Sequence, residues 1–218
     1  MQGEGPKQYL PLMGRPLIEW SLEPFLQAAW IEGVVVALGA ADTTFQSLSI
    51  ADHQKLVCVA GGQERADSVL AGLAEISRRY QAAGRDSHDV FVLVHDAARP
   101  CVSMSDVERL RNEASHDDGG LLAQTMTDTL KHATKGQVHK TMDRREFWRA
   151  QTPQMFRLPL LEKALRDADN DVTDDASAME QAGFHPYLIE AGESNLKVTY
   201  PEDLALAEFW LRRRGKDA

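Results

Sequence analysis

VLVHDAARP, residues 92–100, decides how this chain folds and where its chemistry would sit. An apolar run of strand type passes directly into His95-Asp96 and then into Arg99-Pro100. The wider stretch, residues 89–96, is apolar enough for a central strand covered on both faces, as strands of parallel sheets are. In open α/β sheets, ligands sit beyond the carboxyl ends of strands. Asp96 is therefore placed to hold a divalent metal, and Arg99 to meet a phosphate bidentately. A loop-capping aspartate paired with a nearby arginine is an equally open reading of the same residues.

Working outward, the flanking segments alternate between two periods. Residues 17–30 have helical spacing, and residues 32–39 form a short β-branched run. Residues 55–62 read as a strand ending in glycines, and residues 65–80 as a strong helix. Downstream come a helix near residues 105–113 and a strand at 119–126. This β–α alternation predicts an α/β fold, a doubly wound and mostly parallel sheet with helices on both faces. Residues 127–144 break the rhythm, with two short polar arms around Lys135-Gly136 that predict a projecting β-hairpin. So polar an arm has little reason to pack on its own core, and a partner subunit is its expected resting place.

Beyond the arm, a strand is expected at residues 148–155 and a helix at 158–168. Thr173 is the expected N-cap of a helix reaching Ala182, with Asp174 and Asp175 in its first turn and Gly183 ending it. Strands near Tyr187 and Lys197 lead to a last helix over residues 200–213, where Thr199 and Glu202 have capping-box spacing. Residues 1–218 read as one domain, with the arm at about 127–144.

Composition narrows the function classes. The net charge is −9 and the basic residues form no long run, which argues against nonspecific nucleic-acid binding. A few focused cations in a cleft can still hold a small anionic substrate. No apolar run approaches the roughly 20 residues of a membrane helix, and no signal-peptide pattern is present. Cys58 and Cys101 are the only cysteines, too few for a disulfide framework or a four-cysteine zinc site. A cytoplasmic enzyme is the expectation. No G-x-x-x-x-G-K-[ST] run occurs, which disfavours a P-loop kinase. GGQERADSV (residues 61–69) is a strand–glycine–helix junction able to offer backbone N–H groups to an anion or a base edge, or an ordinary β–α turn. Lys7, in a loop after a proline, and Lys197, ahead of the last helix, are bland by themselves.

Taken in order, PKQYLPLMGRPLIEWSL, GGQERADSVLAGL, VHDAARPC, TMDRREFWRAQTPQMF, TDDASAME and NLKVTYPEDLALAE closely resemble the 2-C-methyl-D-erythritol 4-phosphate cytidylyltransferase family, from Met1 to about Arg212. The resemblance implies a Rossmann-like nucleotidyltransferase domain, homodimeric through the arm, that joins CTP and methylerythritol phosphate with Mg²⁺. It implies that Lys7 stabilises the α-phosphate, that Gly62, Gln63 and Ser68 shape and read the cytosine pocket, and that Lys197 contacts phosphate near CTP. Asp96 would organise the metal and the sugar phosphate, with Arg99 and Thr152 also on the sugar phosphate. Thr129 and Arg144, on the arm, would reach the partner's substrate. Gln63 departs from relatives with aspartate there, although a neutral amide still hydrogen-bonds a base edge.

In the family, a first strand and a glycine-rich loop of the type P-A-A-G-x-G-x-R precede PKQYL, and its arginine would fall immediately before Met1. A sheet without that strand would expose an apolar slot. A truncated record is the favoured expectation, and a chain that truly begins here is the other. Two rival readings stay open: a cytidylyltransferase acting on ribitol 5-phosphate or a similar polyol phosphate, and a catalytically dead dimeric binding protein.

Overall fold

The computed structural model describes residues 6–169 and 172–215. The chain enters through a 3-10 turn at Lys7–Tyr9 and a small antiparallel pair, β1 (Pro11–Leu12) and β2 (Arg15–Pro16). Met13 and Gly14 both have positive φ (50° and 79°), as a tight hairpin turn requires. Helix α1 (Leu17–Gln27) stops short of the expected Trp30 because Ala28 turns to extended backbone, ψ 120°. Strands β3 (Val34–Leu38) and β4 (Leu56–Ala60) pair in parallel, and α2 (Arg65–Ala82) follows. Next come β5 (Phe91–Val94), α3 (Met104–Glu113), β6 (Gly120–Thr125), and the hairpin of β7 (Lys131–Thr134) and β8 (Gln137–Thr141). The chain closes through β9 (Trp148–Arg157), α4 (Leu158–Asp167), α5 (Asp175–Gln181), β10 (Tyr187–Glu190) and α6 (Asp203–Arg214).

The larger sheet runs β10-β6-β9-β5. Its strands share one direction except β9, which is antiparallel to both neighbours. Among the described residues, β3 and β5 each carry a ladder on one side only. Side chains leave the large sheet alternately. Val92, Leu121 and Phe156 face Leu161 and Met179, under α2, α4 and α5. Leu122 and Met155, their immediate neighbours, face Phe25, Val107 and Leu110, under α1 and α3. Both faces are thus covered, which is why these strands read as continuous apolar runs. A third cluster of Leu12, Leu17, Val198 and Leu211 ties the entering segment to α6.

Several expectations need correction. The N-cap of α5 is Asp174, whose carboxylate accepts from the Ser177 N–H at 2.9 Å; Thr173 lies outside the helix. Gly183 does terminate it: at φ 90° its N–H reaches Glu180 O, and the Phe184 N–H reaches Met179 O, a Schellman pattern. At α6 the Thr199–Glu202 box does not form. Asp203 Oδ2 instead accepts from the Thr199 and Tyr200 N–H groups, each at 2.8 Å. Lys197 lies on irregular backbone, not on a strand.

The detail that matters most for the site is in β9. Its register against β6 jumps from Leu121↔Gln154 to Ala123↔Ala150, so Gln151, Thr152 and Pro153 stand opposite Leu122 alone. Pro153 has no N–H to give a ladder, and such bulges re-aim neighbouring side chains. Thr152 is turned toward the end of β5.

Candidate active site

The carboxyl end of β5 delivers Asp96 into a ring of cations. Asp96 Oδ2 lies 3.0 Å from Lys197 Nζ and accepts from Arg99 Nε at 3.3 Å, while Arg65 Nε stands 4.0 Å from Oδ1. Burial alone would raise the Asp96 carboxyl. Lys197, Arg99 and Arg65 outweigh it and hold the group below its ordinary 3.8. Arg99 is itself buried at 8% exposure, with Nη1 donating to Asn195 O at 2.8 Å.

Beneath this ring lies a polar layer. The Asp96 N–H donates to Thr152 Oγ1 at 3.0 Å. Thr152 Oγ1 is 3.1 Å from His95 Nδ1, and His95 Nε2 is 3.2 Å from Arg99 O. Burial of the His95 ring nitrogens lowers its pKa to about 4, so the imidazole is neutral near pH 7. Asn195, fully buried, donates from Nδ2 to Gln151 Oε1 and Thr152 O, both at 2.9 Å.

Arg65, the first residue of α2, forms the link to the glycine turn. It holds the wholly buried Asp175 carboxylate with two bonds, 3.1 Å and 2.7 Å. Burial would lower its pKa; the Asp175 pairing outweighs that and raises it. The turn before it is fixed sterically, because a Cβ on Gly62 would fall 2.1 Å from Asp67 Cβ. The Gly62 N–H donates to Ser68 Oγ at 3.1 Å, and the Glu64 N–H to Asp67 Oδ2 at 3.1 Å.

The structure therefore brings together Asp96, Arg99, Thr152 and Lys197 from the sequence-predicted residues. Gly62, Gln63 and Ser68 sit on the turn that leads into Arg65, with Gly62 and Gln63 exposed. Lys7 is exposed, and no hydrogen bond or ion pair joins it to the cluster among the described residues. Thr129 and Arg144 are exposed on the hairpin, where Arg144 Nη1 donates to Thr127 O and ties the hairpin's base. Sequence reading missed Arg65, Asn195 and the part played by His95. Only Arg65 carried a signal, as a cation directly after the glycine turn.

A carboxylate surrounded by cations, at a strand's carboxyl end in an α/β sheet, stands where such folds bind ligands, and its cations suit an anionic one. Comparison with known proteins narrows this. The profile of the family "IspD: 2-C-methyl-D-erythritol 4-phosphate cytidylyltransferase" matches residues 1–213. The enzyme of that name from Vibrio vulnificus (strain CMCP6) is 46% identical over 218 residues, covering 98% of this chain and 90% of that protein. The one from Escherichia coli O1:K1 / APEC is 46% identical over 220 residues, covering 98% and 89%. Among solved structures, the Francisella tularensis enzyme superposes with a TM-score of 0.82 at 36% identity, covering 95% of this chain and 94% of that one. The Thermus thermophilus enzyme gives 0.76 at 32%, covering 96% and 95%. The chain belongs to the 2-C-methyl-D-erythritol 4-phosphate cytidylyltransferase family.

Proposed function

We propose that this chain joins CTP to 2-C-methyl-D-erythritol 4-phosphate, giving CDP-methylerythritol and pyrophosphate for isoprenoid biosynthesis. The observation that carries this reading is the Asp96 carboxylate ringed by Lys197, Arg99 and Arg65, in a chain of this family. A sugar-phosphate oxygen bonds to the α-phosphorus as the bond from that phosphorus to its bridging oxygen breaks. The electron pair leaves on pyrophosphate. No protein nucleophile is needed; the protein's part is to bring two anions together and stabilise their charge. Arg99 supplies fixed positive charge beside the incoming sugar phosphate, Lys197 beside the phosphates of CTP, and Lys7 at the α-phosphate. Gly62 and Gln63 meet the cytosine edge, and Ser68 keeps their turn closed through its bond from Gly62 N–H.

Mg²⁺ is the proposed cofactor. Among the described residues no three His, Cys, Asp or Glu side chains gather as a metal cage. One hard carboxylate, Asp96, suits a cation that takes its other ligands from triphosphate and water. Mg²⁺ would neutralise phosphate charge, and Asp96 is the residue that would hold it. We also propose a homodimer of single-domain cytoplasmic subunits, in which the hairpin at residues 127–144 carries Thr129 and Arg144 to the partner's substrate. No helix among the described residues is long and apolar enough to cross a membrane.

Pyrophosphate release from CTP and Mg²⁺, with methylerythritol phosphate or ribitol 5-phosphate as acceptor, tests this. Turnover with the former and little with the latter is expected. The reverse preference would assign a ribitol-phosphate enzyme, and no CTP-dependent heat in calorimetry would assign a dead scaffold.

A further inference from the structure

The family resemblance puts Thr152 on the substrate, yet it is buried at 5% exposure and its hydroxyl already has two partners. The direction of each bond is determined. Arg99 O can only accept, so His95 Nε2 must carry a proton and donate it. Among the described residues neither ring nitrogen contacts a carboxylate, so nothing holds a second proton on the imidazole, and its single N–H at Nε2 leaves Nδ1 bare. Thr152 must then donate its proton to Nδ1, while its oxygen accepts from the Asp96 N–H. A hydroxyl has one proton, and this one is committed. The chain of bonds closes on itself: Arg99 donates to Asn195 O, Asn195 to Thr152 O, Thr152 to His95, and His95 back to Arg99 O. The loop joins the end of β5, the bulge of β9 and the segment before α6 into one unit under the Asp96 carboxylate.

We propose that His95 and Thr152 are positioning residues: the Nε2–H tautomer of His95 takes up the Thr152 proton, so Thr152 anchors the Asp96 backbone and donates nothing to the sugar phosphate. The kinetic consequence rests on the function proposed above; the tautomer does not. His95 therefore sets sugar-phosphate binding without touching it.

Two measurements test this. ¹⁵N NMR of the imidazole of the full chain should show a protonated Nε2 and a bare Nδ1 that shifts in Thr152→Val. A protonated Nδ1 would overturn the proposal whatever the enzyme's substrate is. In kinetics, Thr152→Val and His95→Phe should each lower kcat/KM for methylerythritol phosphate about tenfold or more, with KM for CTP within about twofold. Because they break one unit, the double variant should be no worse than either single one, and Thr152→Ser should recover most of the loss. A near-normal His95→Phe beside an impaired Thr152→Val would mean that Thr152 contacts substrate directly. Where His95→Phe does not fold, His95→Asn, which leaves an acceptor facing Thr152, should outperform His95→Gln; the opposite order overturns the proposal. A wild-type chain inactive on methylerythritol phosphate but with the expected tautomer would defeat the functional reading alone.

Discussion

Asp96 shows how far one side chain's state depends on its neighbours. Lys197, Arg99 and Arg65 hold its carboxyl below the ordinary 3.8 against the opposing effect of burial. The stability this contributes is fully present above the ordinary value and is lost as pH falls through the lowered folded value. His95 acts over a higher window. Its folded pKa of about 4 lies below the ordinary 6.5, so stability falls as pH drops from about 6.5 toward 4 and the unfolded chain takes up the proton. Asp96→Asn should therefore reduce the acid limb of the stability curve below about pH 4, while the histidine limb persists near pH 6 in denaturant titrations and reaches to lower pH, because the Asp96 charge raises the His95 pKa. A loss of slope near pH 6 would contradict this assignment. The same variant should lower kcat/KM by about a hundredfold or more, since it removes the charge around which the cations are arranged. Arg99→Lys should not restore activity to an Arg99→Ala enzyme, because one ammonium cannot span both Asp96 and Asn195 O as the guanidinium fork does.

At the scale of elements, α2 is joined to α5 by an ion pair with one end wholly buried. Arg65→Ala would leave the Asp175 carboxylate without its counter-charge. We expect a loss of about 3 kcal/mol, toward the low end for a broken buried pair because Arg65 remains partly solvated. Adding Asp175→Asn should recover much of it in urea denaturation; an additive loss would mean the pair is not coupled. Gly62→Ala has no room for its methyl group against Asp67 and should cost about 1–3 kcal/mol, again read from the denaturation midpoint. The alternation of β5, β6 and their helices was legible in the sequence because apolar runs and periods are local. So was the Gly62 turn. What was not legible depends on distant partners. Thr152 reaches Asp96 only because β9 bulges at Pro153, and Arg65 meets Asp175 across 110 positions of chain. The N-cap of α6 is Glu202, which makes no side-chain cap bond, while the Asp203 carboxylate reaches back to the Thr199 and Tyr200 N–H groups.

Over the whole molecule, the described residues divide into a covered body and one uncovered arm. The large sheet is packed on both faces, whereas every residue of β7 and β8 is exposed, including Val138 at 60%. A two-stranded hairpin is marginal alone in water, so an arm of this kind needs an external surface to hold its shape. Beyond its backbone ladder, the side-chain ties described within it are few and polar: Lys131 Nζ to Thr141 Oγ1 at 2.7 Å, the His132–His139 contact, and Arg144 at the base. Under the proposed homodimer, Val138 would be buried by the partner, and Thr129 and Arg144 would serve the partner's site. Val138→Asp should then leave the thermal midpoint of the isolated subunit within about 2 °C, since exposed substitutions cost about 0.5 kcal/mol or less. Sedimentation velocity should show the variant as monomer at concentrations where the parent is dimer. Activity should fall with it, through kcat/KM for methylerythritol phosphate more than for CTP, because the lost groups serve the sugar phosphate. A variant that remains dimeric would place the interface elsewhere. A monomer with full activity would return Arg144 to the role of a hairpin tie, would take Thr129 out of the site, and would make each subunit's site complete on its own.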